Sequence, residues 1–462
     1  MESVLLGWEF NAHDGRDGAR ANRSARRRGL MPAVPMPGLN RASDFIPITY
    51  DDDAHLLTAA PTGAGKGVGA IIPNLLSYPG PMIVIDPKGE NFQVTARYRR
   101  QLGQEVLVLD PFGEYTPHTV ENEVFQGARL NPLDLATMGA VDTGLQAQWI
   151  AEVLSSGKTG AQEPFWDLTA KGLLSALFDI ELNEARHEGR AASFRNVIRL
   201  LFVEEFDYTL AVRLNEGRIT PFAHASLTGY WDAPESGTRP SILATARAYL
   251  FPLLAENIQA ALDNSTIDLR QVRDGAPQTI YIIIPSSKLE SHAALLRLWV
   301  DVLLNAILAR KTKSPMRTLA LLDECANLGH LPVLKKAVTL MRGYGLQVWM
   351  FFQDISQLAT LYEGEWQTMV NNCGVFQTFG NTYMLQGEAL AKVVPDFEPE
   401  QILSISRDSQ ILAVGRKGAQ VARKLNYLKD TLFSGRADPH AFHKPAPDAR
   451  IDAVSDGLVV VI

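Results

Sequence analysis

The sequence predicts an α/β protein with a mainly parallel sheet flanked by helices, interrupted by an all-α insertion. Three observations carry that reading. Short, nearly continuous apolar runs alternate with amphipathic stretches between about 41 and 150, the same alternation returns after 276, and the strand signal fades between about 151 and 275. At 462 residues the chain is long enough for two or three cores, or for one large core carrying an insertion. With 46% hydrophobic and 21% charged residues it is a globular chain and not a disordered one.

The first run is His55–Ala60, followed by a glycine-rich loop. Met82–Pro87 and Val106–Pro111 read as buried strands, each closed by Asp-Pro, which blocks helical continuation and leaves Asp86 and Asp110 at strand exits. Within the insertion, Ser193 precedes a helix at Phe194, and Thr220 precedes Pro221 in the favoured first helical position. Trp166, Leu173, Leu174, Leu177 and Phe178 share a helical face, which reads as core packing. The sheet resumes with Thr279–Ile284. Ser287 and Glu290 then form a capping box expected to open a long helix toward Arg310. Further strands are expected at Thr318–Asp323, Leu346–Phe352 and Val375–Phe379.

Charge and cysteine usage exclude other classes. The net charge is -7, so no global basic field attracts nucleic acid or an anionic membrane, and any such contact is local. Residues 1–40 read as a basic arm carrying Arg16, Arg20, Arg23, Arg26, Arg27 and Arg28. No apolar run reaches the length of a membrane-spanning helix, and the start of the chain lacks the apolar region of a secretory signal. Cys325 and Cys373 are too few for a disulfide framework or a cysteine zinc site, and suit a reducing compartment.

The loop Ala60-Pro61-Thr62-Gly63-Ala64-Gly65-Lys66-Gly67-Val68-Gly69 lies between a strand and a helix. In such a loop, backbone N–H groups from Thr62 to Val68 turn inward on a phosphate, and Lys66 supplies a cation to the β- and γ-phosphates. Ala60 stands where the first glycine of the phosphate-loop pattern is usual. Gly67 removes the hydroxyl that ordinarily ligates Mg2+, which must then rely on water or a carboxylate. Residues 65–70 also fit the dinucleotide pattern G-x-G-x-x-A, with Asp86 as its acid, which would imply NAD. The apolar run ending in Asp323 and Glu324 separates the two readings. As a Walker B pair, Asp323 would hold Mg2+ and Glu324 would act on the attacking water, with Gln353 on the next strand as sensor.

Several strings in order then resemble the TraG-like coupling proteins of type IV secretion and conjugation, P-loop ATPases related to the FtsK and HerA motors. They are the phosphate loop, Asp86-Pro87-Lys88-Gly89-Glu90-Asn91, Asn131-Pro132-Leu133, residues 322–329, Arg342-Gly343-Tyr344-Gly345, residues 353–358 and Asn371-Asn372-Cys373. The resemblance implies a RecA-like nucleotide domain in two parts, 41–150 and 276–462, around an all-α domain at 151–275. It also implies ATP and Mg2+ at sites between the subunits of a homo-hexamer, and Arg342 as an arginine finger reaching a neighbour's nucleotide.

The implied partners are single-stranded DNA, a relaxase or other protein effectors, other type IV secretion ATPases and envelope channel components. Family members usually begin with two transmembrane helices. Without an integral membrane span, this chain is expected to be cytoplasmic and peripheral at the inner membrane of a bacterium. The alternative is a nucleotide-assembled receptor that docks protein cargo without being a DNA motor. Arg416-Lys417-Gly418 reads as an exposed hairpin tip and a candidate DNA contact.

Overall fold

The computed structural model describes residues 2–9, 46–138, 142–156, 164–440, 451–453 and 459–461. Its centre is an 11-stranded sheet in the order β2-β1-β13-β12-β11-β3-β10-β9-β4-β8-β5. The strands are β1 (Val4–Glu9), β2 (Ile46–Tyr50), β3 (His55–Ala59), β4 (Met82–Ile85), β5 (Glu105–Leu109), β8 (Gln278–Ile282), β9 (Thr318–Leu322), β10 (Leu346–Phe352), β11 (Cys373–Thr378), β12 (Ser409–Val414) and β13 (Ala419–Arg423). A short hairpin of β6 (His118–Val120) and β7 (Glu123–Phe125) lies outside that sheet.

From β11 to β5 all neighbours run parallel, while β12, β13, β1 and β2 continue the sheet antiparallel. The parallel strands are covered on both faces. This is why β3, β4, β9 and β10 read as unbroken apolar runs and are buried at every position.

Residues 4–9 correct the arm expected over residues 1–40. They form β1, paired between β2 and β13, because Val4, Leu5, Leu6 and Trp8 are apolar and find a half-made sheet edge to cover. Asn74 fixes the strand: its Oδ1 accepts from Leu5 N at 2.8 Å and its Nδ2 donates to Leu5 O at 2.8 Å. Trp8 Nε1 donates to Asp430 at 2.9 Å. The six arginines assigned to the arm lie outside the described residues.

On one face the phosphate loop runs into a π-turn (Gly67–Ile71) and α1 (Ile72–Leu75), followed across β4 by α2 (Glu90–Gln101). On the other, the described residues between 143 and 274 form helices joined by turns: α3 (Thr143–Ser155), α4 (Pro164–Glu188), α5 (Phe194–Leu201), α6 (Phe206–Asn215), α7 (Pro221–Trp231), α8 (Thr238–Leu250), α9 (Glu256–Ala261) and α10 (Leu269–Asp274). Thr220 caps α7 by accepting from Ala223 N, with Pro221 in the first turn. Leu173, Leu174, Leu177 and Phe178 are fully buried in the core that joins this block to the sheet.

The long helix before β9 is α11 (Ala293–Leu308), and it starts later than the capping box suggests. Residues 285–292 are spent in turns that bury Leu289 and leave Ser286, Glu290 and Ser291 on a cleft wall. Trp299 of α11 is fully buried and donates to Leu130 O at 3.0 Å, tying the helical block to the sheet. No described helix is long and apolar enough to cross a membrane.

Asn74→Ala should leave both backbone groups of Leu5 without partners in the interior. We expect a loss of about 3 kcal/mol in the free energy of unfolding, read by urea denaturation, with the sheet otherwise retained.

Candidate functional site

Parallel register brings four strand ends together. In β10, Phe352 lies opposite Ala59 of β3 and Met350 opposite Leu322 of β9, while Ile85 of β4 lies opposite Leu322 on the other side. The residues that follow these strands, Ala60, Gln353, Asp323 and Asp86, therefore emerge side by side at the carboxyl edge of the sheet, where ligands bind in open α/β folds.

The loop after β3 is shaped by glycine. Gly63 has φ +78° and Gly65 has φ +93°, left-handed values that a side chain would strain. Ala60 N donates to Phe352 O at 3.0 Å, which seats the loop on β10. Lys66 is 8% exposed; its Nζ donates to Ala60 O at 2.9 Å and lies 4.0 Å from Glu324 Oε1. Gln353 Nε2 donates to Glu324 Oε2 at 2.8 Å. Glu324 itself sits at φ +52°, an uncommon conformation for a residue with a side chain, and one that turns its carboxylate toward the loop lysine. Lys66, Glu324 and Gln353 thus form one connected polar group, with Asp323 beside it and Thr62 on the rim of the adjoining cleft.

The electrostatics are unusual. Burial pushes the Asp86 carboxyl up to about 7, although the backbone N–H groups of Phe92, at 2.8 Å, and of Asn91 oppose the shift. Burial, and then the charge of Glu324, push Asp323 up to about 6 against the pull of Lys66. A cation placed among these groups would favour the charged carboxylates.

Not every expected residue is gathered here. Arg342 lies in the turn Met341–Tyr344, before the start of β10 and thus at the far end of that strand from Gln353, on the order of 20 Å away at about 3.3 Å per residue. It is exposed and pairs with Asp52 at 2.8 Å and with Asp53. Any action on a nucleotide would have to be on another subunit's. Asp110 is turned to its own loop, accepting from Tyr115 N and Thr116 N at 2.8 Å each. Asp86 is likewise occupied in capping α2 and is buried, so it cannot serve as the exposed ribose-binding acid that the dinucleotide pattern needs.

Three neighbours of the loop gave no signal as part of the site. Lys424, just past β13, donates to Ala64 O at 2.9 Å and stacks over Phe379. Gly380 packs where a β-carbon would meet that of Ala64 at 2.6 Å. Glu90 places Oε1 3.4 Å from where a β-carbon on residue 67 would lie. Glu90 was legible only as a member of the string Asp86–Asn91; the other two follow strands more than 300 positions downstream.

This sheet order, the loop after β3 and the acid pair after β9 define a P-loop NTPase of RecA-like architecture. The family described as Type IV secretory system Conjugative DNA transfer matches residues 20–385, and the chain belongs to it. A conjugal transfer protein TraG from Escherichia coli is 25% identical over 403 residues, covering 82% of this chain and 61% of the relative. Protein VirD4 from Rhizobium rhizogenes is 25% identical over 430 residues, covering 84% of this chain and 60% of its own. The chain therefore spans about three fifths of the length of these relatives. The plasmid coupling protein TrwB, solved in complex with ADP and Mg2+, superposes with a TM-score of 0.63 at 18% identity, over 91% of this chain and 94% of that one.

Because both acid shifts are upward, the folded ligand-free chain holds protons between about pH 4 and 7 that the unfolded chain releases, and its stability falls as pH rises through that window. Asp323→Asn should remove its share, raising the unfolding free energy by up to about 3 kcal/mol at pH 8 and by only a fraction of that at pH 4. Denaturant melts at the two pH values check this.

Proposed function

We propose that this chain is an ATP-hydrolysing coupling protein that recruits DNA, or a relaxase joined to DNA, and drives it into a type IV secretion or conjugation channel. The observation that carries the reading is the contact of Lys66 and Gln353 with Glu324, at a glycine loop on the carboxyl edge of the sheet. Membership of the conjugative DNA transfer family and the fold shared with TrwB supply the context.

In this reading the N–H groups of Thr62, Gly63, Ala64, Gly65, Lys66, Gly67 and Val68 cradle the phosphates, and Lys66 exchanges its bond to Ala60 O for a phosphate oxygen. Glu324 accepts a proton from the attacking water, held in place by the amide of Gln353. Bound Mg2+ would neutralise charge on the β- and γ-phosphate oxygens. The residues present fit it: Asp323 stands at the acid edge, and Glu90 brings an oxygen to the region that the hydroxyl absent at Gly67 would fill. Arg342 acts in trans, freed from Asp52 and Asp53 when a neighbour docks, which makes hydrolysis depend on a homo-hexamer.

Single-stranded DNA threads the ring, relaxase or effector proteins dock on it, and other secretion ATPases and channel components receive it at the cytoplasmic face of the inner membrane. The exposed Lys417, in the turn between β12 and β13, is a candidate DNA contact. A receptor that docks cargo without moving DNA is the competing reading.

Lys66→Ala should weaken ATP binding at least about tenfold. Glu324→Gln should keep binding but slow hydrolysis by about 100-fold or more. Steady-state hydrolysis with and without single-stranded DNA checks both, and wild-type activity that DNA leaves unchanged at oligomer-forming concentrations would refute the motor. Under the receptor reading, Lys66→Ala keeps cargo capture. Glu90→Ala should raise the Mg2+ concentration needed for half-maximal ADP binding several-fold, measured by titration calorimetry, and Gly67→Thr in the same chain should restore it.

A further inference from the structure

Beside the phosphate loop lies a cleft of about 830 Å³ between the carboxyl edge of the sheet and the all-α block. Thr62, Glu324 and Gln353 line one side, and Tyr249 and Phe251 line the other. Arg297, in the second turn of α11, also lines it, yet the residue is only 7% exposed. Its Nε meets no acceptor, and it forms no ion pair among the described residues. Burial with nothing to offset it pulls its pKa below the ordinary value.

An arginine so placed is normally answered by a carboxylate, because burying a bare charge is among the costliest arrangements a fold can hold. The obvious candidates are otherwise engaged. Asp301, one turn further along α11, accepts from Trp149 Nε1 at 3.2 Å and from Asn305. Glu290 and Glu324 line the same cleft, but neither comes within 4.0 Å of the guanidinium, and Glu324 is held by Gln353. The loop that follows the acid pair passes close by: a β-carbon on Gly329 would lie 3.9 Å from Arg297 Nη1. Lys88 adds a second cation to the lining. A planar guanidinium on a cleft that also carries a lysine, with no ion-pair partner among the described residues, is complementary to a tetrahedral oxyanion.

We propose that Arg297, assisted by Lys88, is a phosphate receptor at the back of the nucleotide site, binding either the γ-phosphate of a bound triphosphate or the inorganic phosphate that leaves it. This rests on the nucleotide-binding reading above. It adds a cation supplied by the same subunit, from the helix that joins the sheet to the all-α block, so that occupancy of the phosphate position is felt by that block.

The test uses the full chain with R297M, which removes the charge and keeps the length, and R297K, which keeps the charge. Titration calorimetry follows a non-hydrolysable ATP analogue, ADP, and inorganic phosphate added to ADP-loaded protein. Without ligand, R297M should melt at or above the wild-type temperature, because an unanswered charge is gone. A tenfold loss confined to the analogue assigns the γ-phosphate. A loss confined to phosphate on the ADP-loaded protein assigns the released product, and R297K should recover part of either. Wild-type affinity for both in R297M overturns the proposal, as does a ligand-free melting temperature that falls together with ADP affinity, which would mark a structural arginine. If the wild-type chain binds no nucleotide, the reading of the loop fails on its own. Phosphate alone then decides Arg297, through a melting shift that R297M must abolish.

Discussion

Everything at the candidate site depends on the parallel register of β4, β9, β10 and β3. Parallel strands end on the same side of a sheet, and here the register is offset so little that Asp86, Asp323, Gln353 and the start of the glycine loop leave it as neighbours. The consequence is an electrostatic tension. Burial makes both Asp86 and Asp323 ionise reluctantly, and the charge of Glu324 adds to this at Asp323. The fold tolerates this because Lys66, the α2 backbone and the Gln353 amide surround the acids with donors. Such a group is costly to hold charged without a cation beside it.

The all-α block is more than an appendage to this arrangement. It shares one continuous core with a face of the sheet, and α11 runs through that core from the cleft beside Glu324 to the underside of the strands. Arg297 and the turns at 285–292 lie between the cleft and the helical block. On the opposite edge, β1 and β2 extend the sheet beyond β13, and Asn74 and Asp430 lock β1 down.

Much of this was legible beforehand, for identifiable reasons. Strands buried on both faces must be apolar throughout, so β3, β4, β9 and β10 announce themselves, and a strand followed by a glycine-rich loop with a lysine has few other uses. The capping box at Ser287 and Glu290 misled, because local propensity there yields to the burial of Leu289 and the demands of the cleft wall. The strand β1 was hidden because six residues ahead of an arginine-rich stretch look like part of it. Only pairing with β2 on one side and with β13, from the far end of the chain, on the other makes them a strand.

What the sequence determined by itself was the kind of chemistry available: a phosphate loop with Lys66, an acid pair at Asp323 and Glu324, an amide at Gln353, and a helical insertion between the two halves of a sheet. These signals are local, carried by residue type and period within a single element. What only the tertiary structure decided was proximity: that Arg342 stands at the far end of its strand, that Glu90 faces Gly67, that Lys424 rests on the loop tip, and that Arg297 is buried without a carboxylate. Such facts arise from sheet order and from which helix crosses which strand end, quantities fixed by packing the whole chain and recorded in no one segment of it.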